Sequence, residues 1–507
     1  MKRNLIFTAC CLSGALISCN EKQPEKPNII FIYGDDVGYG DLECYGATAV
    51  RTPNVNRLAD RGIKFTNAYA CAATSTPSRY ALLTGEYAWR RNDTGIARGD
   101  APMIIRKDQY TVASLLRDAG YNTAAVGKWH LGLGEGGFNN QDWNGQITPG
   151  PKEIGFDYSY IMAATGDRTP CVFIENAKVV GLDPADPIEV SYEKPFEGEP
   201  LGSTNPEMLT MHPSHGHDQA IVNGISRIGY MKGGKSALWK DENIADSIAA
   251  HAVRFIDKNS PEKTGKPFFL YLCTQDIHVP RVPHPRFNGA TSMGPRGDAI
   301  AEFDWIVGQV YETLQKNGLT KNTIIILTSD NGPVVDDGYK DRAVELLGSH
   351  KPAGIYRGGK YSAFEAGTRV PFIVSWPARI KAAVSETLLS QVDFFGTMAA
   401  LAGREIPENA APDTRNSLGS WLGETEKGRE YIVEQSIANA LSIVSNNWKY
   451  ITPSNAEKMN FNTNTELGHD TVPQLYDLSA DPGEKTNLAE KFPERVKELS
   501  SLLGGIK

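Results

Sequence analysis

Two pairs of hard oxygen donors, Asp35-Asp36 and Asp330-Asn331, each stand directly after a short apolar run. Three carboxylates and an amide sharing one crevice repel one another unless a cation lies between them. Oxygen donors of this kind suit calcium or magnesium better than zinc. One such pair alone is most often a turn or helix cap, whereas two pairs in equivalent positions favour a metal. A second cluster is Ser75-Thr76-Pro77-Ser78-Arg79, followed by Leu82-Leu83-Thr84-Gly85. Pro77 suits a first helical turn, which puts Ser75 at or near a helix N-terminus. Free N–H groups and the helix dipole there favour an anion. By itself the run is a weak signal, since it also describes an ordinary capped helix start.

These residues need elements to position them. Strand-like runs at 28–33, 122–126, 268–273, 324–327 and 370–375 alternate with helical patterns. Residues 111–119 read as a helix closed by Gly120. Ile244, Ile248, Ala252 and Phe255 mark one helical face, and Ile300, Phe303, Val307, Val310 and Leu314 another. The pattern predicts an α/β fold: a large, mainly parallel sheet sandwiched by helices. Polar residues follow several strands: Asp35-Asp36, Lys128 with His130, Asp276 with His278, and Asp330-Asn331. Ligands of open α/β sheets bind beyond the carboxyl ends of the strands, so these distant segments are expected to share one site. Past about residue 405, short runs at 431–433, 441–444 and 448–451 and a closing helix at 494–503 predict a smaller C-terminal α+β subdomain, an antiparallel sheet plus helix.

Composition narrows the classes. The 507 residues carry a formal net charge of −8 without long basic runs, which argues against a nucleic-acid partner. Lys2 and Arg3, an apolar stretch over 5–17 and small residues before Cys19 read as an export signal too short to span a membrane. Leu16-Ile17-Ser18-Cys19 resembles a bacterial lipobox, so Cys19 is expected to carry a lipid anchor on an exported, periplasmic or cell-surface lipoprotein of a Gram-negative bacterium. The expected division is 1–19 signal and lipobox, 20–26 tether, 27–405 catalytic domain and 406–507 C-terminal subdomain. The body cysteines Cys44, Cys71, Cys171 and Cys273 form no CxxC pair and read as free thiols.

Two segments imitate other functions. Gly229 to Ser236 fits the P-loop pattern, but the run before it is broken by Asn223-Gly224 and Arg227, so a glycine-rich active-site loop is the expectation. His212, His215 and His217 lack the spacing of a helical zinc site. With Asp167 and Arg168 they suit hydrogen bonds to sugar hydroxyls.

Ser75-x-Pro77-Ser78-Arg79 with Leu83-Thr84-Gly85 resembles the signature of the formylglycine-dependent sulfatases, of the alkaline phosphatase superfamily. The resemblance extends through Gly127-Lys128-Trp129-His130, His278-x-Pro280, Ser329-Asp330-Asn331-Gly332, Arg357-Gly358-x-Lys360 and Leu475-Tyr476-Asp477-Leu478. It departs at Asn56 and at Glu365-Ala366-Gly367, both outside the inferred chemistry. The resemblance implies that an anaerobic sulfatase-maturing enzyme oxidises Ser75 to formylglycine. The aldehyde then hydrates to a diol, one hydroxyl of which attacks sulfur. It further implies that Asp35, Asp36, Asp330, Asn331 and Ser75 hold one calcium ion. Arg79 and His130 then serve the diol, Lys128 and Lys360 grip sulfate, and His278 protonates the leaving alcohol. The expected substrate is a sulfated carbohydrate, galactose or N-acetylgalactosamine sulfated at O6 or O4 and attacked from the chain end. Asp167, Arg168, His215 and His217 are the expected specificity residues. Two rivals remain: a phosphate mono- or diesterase of the same superfamily, and a non-catalytic glycan-binding lipoprotein.

Overall fold

The structure, a computed structural model, describes residues 26–506, so the export signal, Cys19 and most of the tether lie outside the described residues. Alternation along Asn28–Gly34 shows how the core is organised. Ile29, Phe31 and Tyr33 enter one buried cluster and Ile30 and Ile32 another, because successive strand side chains point to opposite faces. This strand is the centre of a ten-stranded sheet. It pairs in parallel with Phe268–Cys273 on one side and Thr323–Ser329 on the other. Asn122–Lys128 and Tyr158–Met162 extend the parallel array beyond Phe268–Cys273.

Helices cover both faces. Pro53–Ala59, Ile244–Asn259 and Gly294–Lys316 pack on one; Ser75–Thr84, Val112–Asp118 and Phe394–Ala402 pack on the other. The expected strand at 370–375 forms as Phe372–Ser375, but antiparallel to Thr323–Ser329. Its C-terminal end therefore points away from the crevice, and the segment before it, which carries Lys360, lies over the carboxyl ends of the parallel strands.

A second, four-stranded sheet runs Ile432–Gln435, Leu441–Ser445, Trp448–Ile451, Gln474–Asp477, antiparallel throughout, with the helix Pro493–Ile506 beside it. Val433, Ile443, Leu475 and Leu499 from this unit share a buried cluster with Cys71, Ala81 and Tyr87. The Ser75 helix is thus held between two sheets, its Leu82 and Leu83 in the main core and its Ala81 in the second, and all ten of its residues are buried. Among the described residues no helix is long and apolar enough to cross a membrane, and Cys44, Cys71, Cys171 and Cys273 are unpaired.

The segment from Gly229 to Ser236 is no P-loop. Tyr230–Lys232 pairs antiparallel with Glu189–Ser191, and Gly233 and Gly234 pack against Pro187 and Ile188. Nor is it the expected active-site loop, because those contacts turn its glycines away and leave Ile228, just before it, as the neighbour of the site.

Candidate active site

Ser75 opens its helix behind Thr74, which has extended backbone angles and makes no side-chain cap. Ser78 instead ties the first turn to the chain before it: its hydroxyl donates to the Ala72 carbonyl and accepts from the Ala72 N–H. At the other end Gly85 adopts φ 65° and its N–H donates to Ala81; a Cβ there would meet that of Ala411 at 2.5 Å. The serine is therefore fixed by both ends of a buried helix.

The oxygen donors converge on it. Ser75 Oγ lies 3.4 Å from Asp35 Oδ1, 3.3 Å from Asn331 Oδ1 and 3.0 Å from the Lys128 ammonium. Asp35, Asp36, Asp330 and Asn331 are all essentially without solvent exposure. Asp36 sits at φ 62°, a left-handed turn that lets adjacent carboxylates face one site at a cost of about 1 kcal/mol. Gly127, at φ 101° with no room for a Cβ beside the Cys273 carbonyl, allows the close strand packing that delivers Lys128.

Each carboxylate has its own cation. Lys128 Nζ is 2.5 Å from Asp35, Lys360 Nζ 2.9 Å from Asp36, and the Arg79 guanidinium 2.8 Å from Asp330. Burial pushes the Asp35 pKa well up, helped by Asp330 and Asp36 and opposed by Lys128. For Asp36 burial works the same way, but Lys360 and then His278 outweigh it and hold the carboxyl low. Asp35, Asp36 and His278 each offer a ligand atom within 4.8 Å of one another. With Asn331 Oδ1 turned to the same point, the donor set fits a hard divalent cation.

Two histidines face the cavity above. His130, at φ 57°, donates from Nε2 to the Ala97 carbonyl, which leaves a buried Nδ1 with no partner. Burial, with Lys128 and Arg168 adding, keeps this ring neutral, so Nδ1 is a free proton acceptor. His278 donates from Nδ1 to the Val279 carbonyl and stands 3.9 Å from Asp36 through Nε2. Its pKa is held down to about 4, by burial first and Lys360 next, so it must gain a proton before it can give one.

The cavity over Ser75 has a volume of about 200 Å³ and is lined by His130, His278 and Lys360 as well as Asp167, Arg168, His215 and His217. Residues from distant segments of the chain are thus brought together; His212 is not among them. His217 bonds the His215 carbonyl through Nδ1 and Asp167 through Nε2, each at 2.9 Å, so both ring nitrogens face acceptors and the ring is best served as a cation. Burial opposes that charge, but the bond to Asp167 raises the pKa. Ile96, Asp337, Tyr361, Asn460, Asn462 and Thr463 also line the cavity, and sequence reasoning missed them. Asp337 clamps Lys360 and Tyr361, and the adjacent Asp336-Asp337 pair was its one visible sign. The two departures from the resembled pattern lie elsewhere: Asn56 bonds Glu43, and Glu365 is buried against Lys449 and Arg369. A larger recess, of about 780 Å³, opens beside the edge strand Ala383–Ser385 and gathers no comparable chemistry.

A sulfatase family model matches residues 27–404. The chain belongs to the sulfatase family. This sulfatase is 56% identical over 499 residues to an N-acetylgalactosamine-6-O-sulfatase of Bacteroides thetaiotaomicron, covering 97% of this chain and 96% of the relative. It is 31% identical to human steryl-sulfatase, with 94% and 87% covered. A solved structure from the metabolism of multiple glycosaminoglycans by Bacteroides thetaiotaomicron superposes with TM-score 0.93 at 56% identity, over 95% of this chain and 99% of that one. The protein is therefore a sulfuric ester hydrolase, and the expected main sheet with a C-terminal antiparallel sheet and helix is the fold of this sulfatase.

Proposed function

We propose that the enzyme removes the 6-O-sulfate from a terminal N-acetylgalactosamine or galactose of a glycosaminoglycan-type chain, using formylglycine made from Ser75 and one calcium ion. The carrying observation is the 56% identity to an N-acetylgalactosamine-6-O-sulfatase over nearly the whole of both chains. The 200 Å³ cavity is smaller than the ~300–1,000 Å³ common for drug-sized ligands, which favours one terminal sugar over a threaded chain. Export and lipidation at Cys19, and activation by an anaerobic maturase, complete the proposal and rest on the sequence.

Bound at Asp35, Asp36, Asp330 and Asn331, a divalent cation would polarise the ester oxygens, and the hydrated aldehyde at position 75 would supply the nucleophile. This chain's own residues do the rest. Lys128 and Lys360 hold the sulfate oxygens and balance the charge that grows on them. Arg79 fixes Asp330 through two N–H bonds to one oxygen. The free Nδ1 of His130 accepts a proton at the nucleophile. His278 Nε2, recharged when an anionic ester draws in a proton, donates to the leaving alcohol. His217, Asp167 and Arg168 form a linked polar wall suited to hydroxyls of the sugar ring. Asp167 is held well below the usual carboxylate range: burial opposes its charge, but Arg168 and the His217 bond outweigh it.

The direct test is free sulfate release from 6-O-, 4-O-, 3-O- and 2-O-sulfated sugars, with protein co-produced with an anaerobic maturase and the Ser75 peptide weighed. Release from the 6-O-sulfated amino sugar, with a peptide two hydrogens lighter, is expected; a matured enzyme inactive on every sugar would sink the substrate reading. Lys360→Ala is expected to lower kcat/KM by about 10²-fold or more, the scale of removing one donor to developing charge. A change under about threefold would take Lys360 out of the sulfate grip. Chelation should reduce turnover on the order of 100-fold, restored by calcium and not by zinc. Full activity after exhaustive chelation, with metal content confirmed by elemental analysis, would remove the cation from the scheme.

A further inference from the structure

Three residues past His278, in the loop that follows Phe268–Cys273, stands Arg281, whose side chain has no solvent exposure. Its guanidinium donates four hydrogen bonds. Nε donates to the Ile277 carbonyl at 3.0 Å, one terminal nitrogen to the Val335 carbonyl and to Asp341, both at 2.8 Å, and the other to the Val334 carbonyl at 3.2 Å. A planar fork of fixed geometry thus ties the residue next to His278 to the chain that continues from Asp330-Asn331.

Both ends of this tie reach the chemistry of the site. On one side the Ile277 N–H donates to the Asp35 carbonyl at 2.8 Å, so Ile277 is held between the oxygen cluster and Arg281. Among the described residues no other donor reaches the Ile277 carbonyl. On the other side Pro333 accepts from the Lys360 N–H at 2.8 Å, and Asp337, two residues past Val335, holds the Lys360 ammonium at 2.8 Å. Arg281 does not itself line the cavity over Ser75. Its charge is answered by Asp341 alone, so the three bonds to carbonyls do a separate job: they fix two stretches of backbone relative to each other.

We infer that Arg281 is a positioning residue for proton donation, setting the Ile277–His278 peptide, and with it the imidazole, against the sulfate grip at Lys360. The ring is oriented by its Nδ1 bond to the adjacent Val279 carbonyl, so it follows the backbone that Arg281 holds. A general acid works only within hydrogen-bond reach of the oxygen it protonates, and a misplacement of about 1 Å can cost about 10²-fold. The inference rests on the reading of His278 as the proton donor and adds to it what keeps that donor in place.

Arg281→Lys separates the two jobs of the side chain. Lysine carries a methylene where Arg281 has Nε, so the bond to Ile277 is lost while a positive charge stays beside Asp341. The experiment follows sulfate release from the sulfated sugar that the wild type cleaves best. It compares matured full-length wild type, Arg281→Lys, His278→Ala and the double variant, with rates set per folded, formylglycine-bearing protein. Arg281→Lys is expected to lower kcat about 30-fold and to leave KM within about threefold. In the His278→Ala background the same substitution should change kcat less than about threefold, because a residue that acts through His278 has nothing left to position. A merely structural arginine lowers both backgrounds by the same factor, and that result overturns the inference. So does an Arg281→Lys enzyme within about threefold of wild type, or a raised KM at unchanged kcat. Should the lysine variant not fold, Arg281→Met with Asp341→Asn removes both buried charges together and carries the same comparison. His278→Ala within about threefold of wild type removes the proton donor from the proposed function and the inference with it, whereas additive losses remove the inference alone.

Discussion

Ser75→Ala is expected to lose sulfate-ester hydrolysis by on the order of 10⁵-fold or more, the scale seen when a covalent nucleophile is deleted. Neither the oxygen cluster nor the two lysines can replace it, because they hold and polarise an ester without attacking it. The fold should survive. Ser75 makes hydrogen bonds only within the site, and the start of its helix is secured by Ser78. An unchanged melting temperature with kcat at background is the predicted result. The variant should also bind the sulfated sugar, since Lys128 and Lys360 remain, and so should serve as a trap for substrate complexes. Residual turnover within about tenfold of wild type would end the proposed mechanism, whatever the identity of the metal.

The second large effect concerns stability. Lys449 is fully buried on the C-terminal sheet, with its ammonium 3.1 Å from Glu365, 3.2 Å from Glu434 and 3.6 Å from Glu484. Glu365 lies in the segment that leads into Phe372–Ser375 of the main sheet and also bonds Arg369 and Tyr69. Lys449→Met leaves three carboxylates with one remaining cation, and breaking a buried pair in this way costs roughly 3–5 kcal/mol. Denaturant unfolding should read that loss. Activity should fall as well, because the same cluster holds the segment that carries Lys360. Glu484 accepts from the Glu365 N–H, Arg357 donates to the Glu484 carbonyl, and the Ala363 N–H donates to Leu467. A Lys449→Met protein as stable as wild type would show that the cluster is already neutralised by protonation.

The cluster also gives stability a pH dependence of known sign. Burial first, then Glu365 and Glu434, push the Glu484 pKa up from 4.5 to about 8 against the pull of Lys449. The folded protein therefore holds this proton more tightly than the unfolded chain does. Its contribution is complete below pH 4.5 and is lost as pH rises through about 8. Glu484→Gln, which keeps the amide oxygen for the Glu365 N–H, is expected to flatten the fall in melting temperature between pH 6 and 9, read at several pH values. An identical slope in variant and wild type would assign the dependence to other groups.

Much of the fold was legible because its signals are local. The runs at 28–33, 268–273 and 324–327 are strands buried on both faces, so uninterrupted apolar character was enough to find them. The helix read at 111–119 was visible through the glycine that closes it; it forms as Val112–Asp118, and the structure adds that Thr111 caps it by accepting from the Ser114 N–H. The direction of Phe372–Ser375 was not legible, since an antiparallel interior strand has the same apolar composition as a parallel one. Nor was the glycine-rich segment's true place, because φ > 0 glycines serve hairpin turns as readily as phosphate loops.

The sequence alone determined which residues could do chemistry and where each stood relative to its strand. Adjacent carboxylates, a serine at a helix start and histidines a few residues past a strand are local facts, carried by short-range covalent order. What only the tertiary structure decided is which of them meet, and in what state. Lys360 reaches Asp36 from 324 positions away because its segment precedes an antiparallel strand. His217 pairs with Asp167 across 50 positions, and Asn460, Asn462 and Thr463 come back from the C-terminal unit to wall the site. Burial then sets the charges, holding His278 down and Glu484 up. Proximity and desolvation depend on how the two sheets close around the Ser75 helix, and no local pattern of residues encodes that closure.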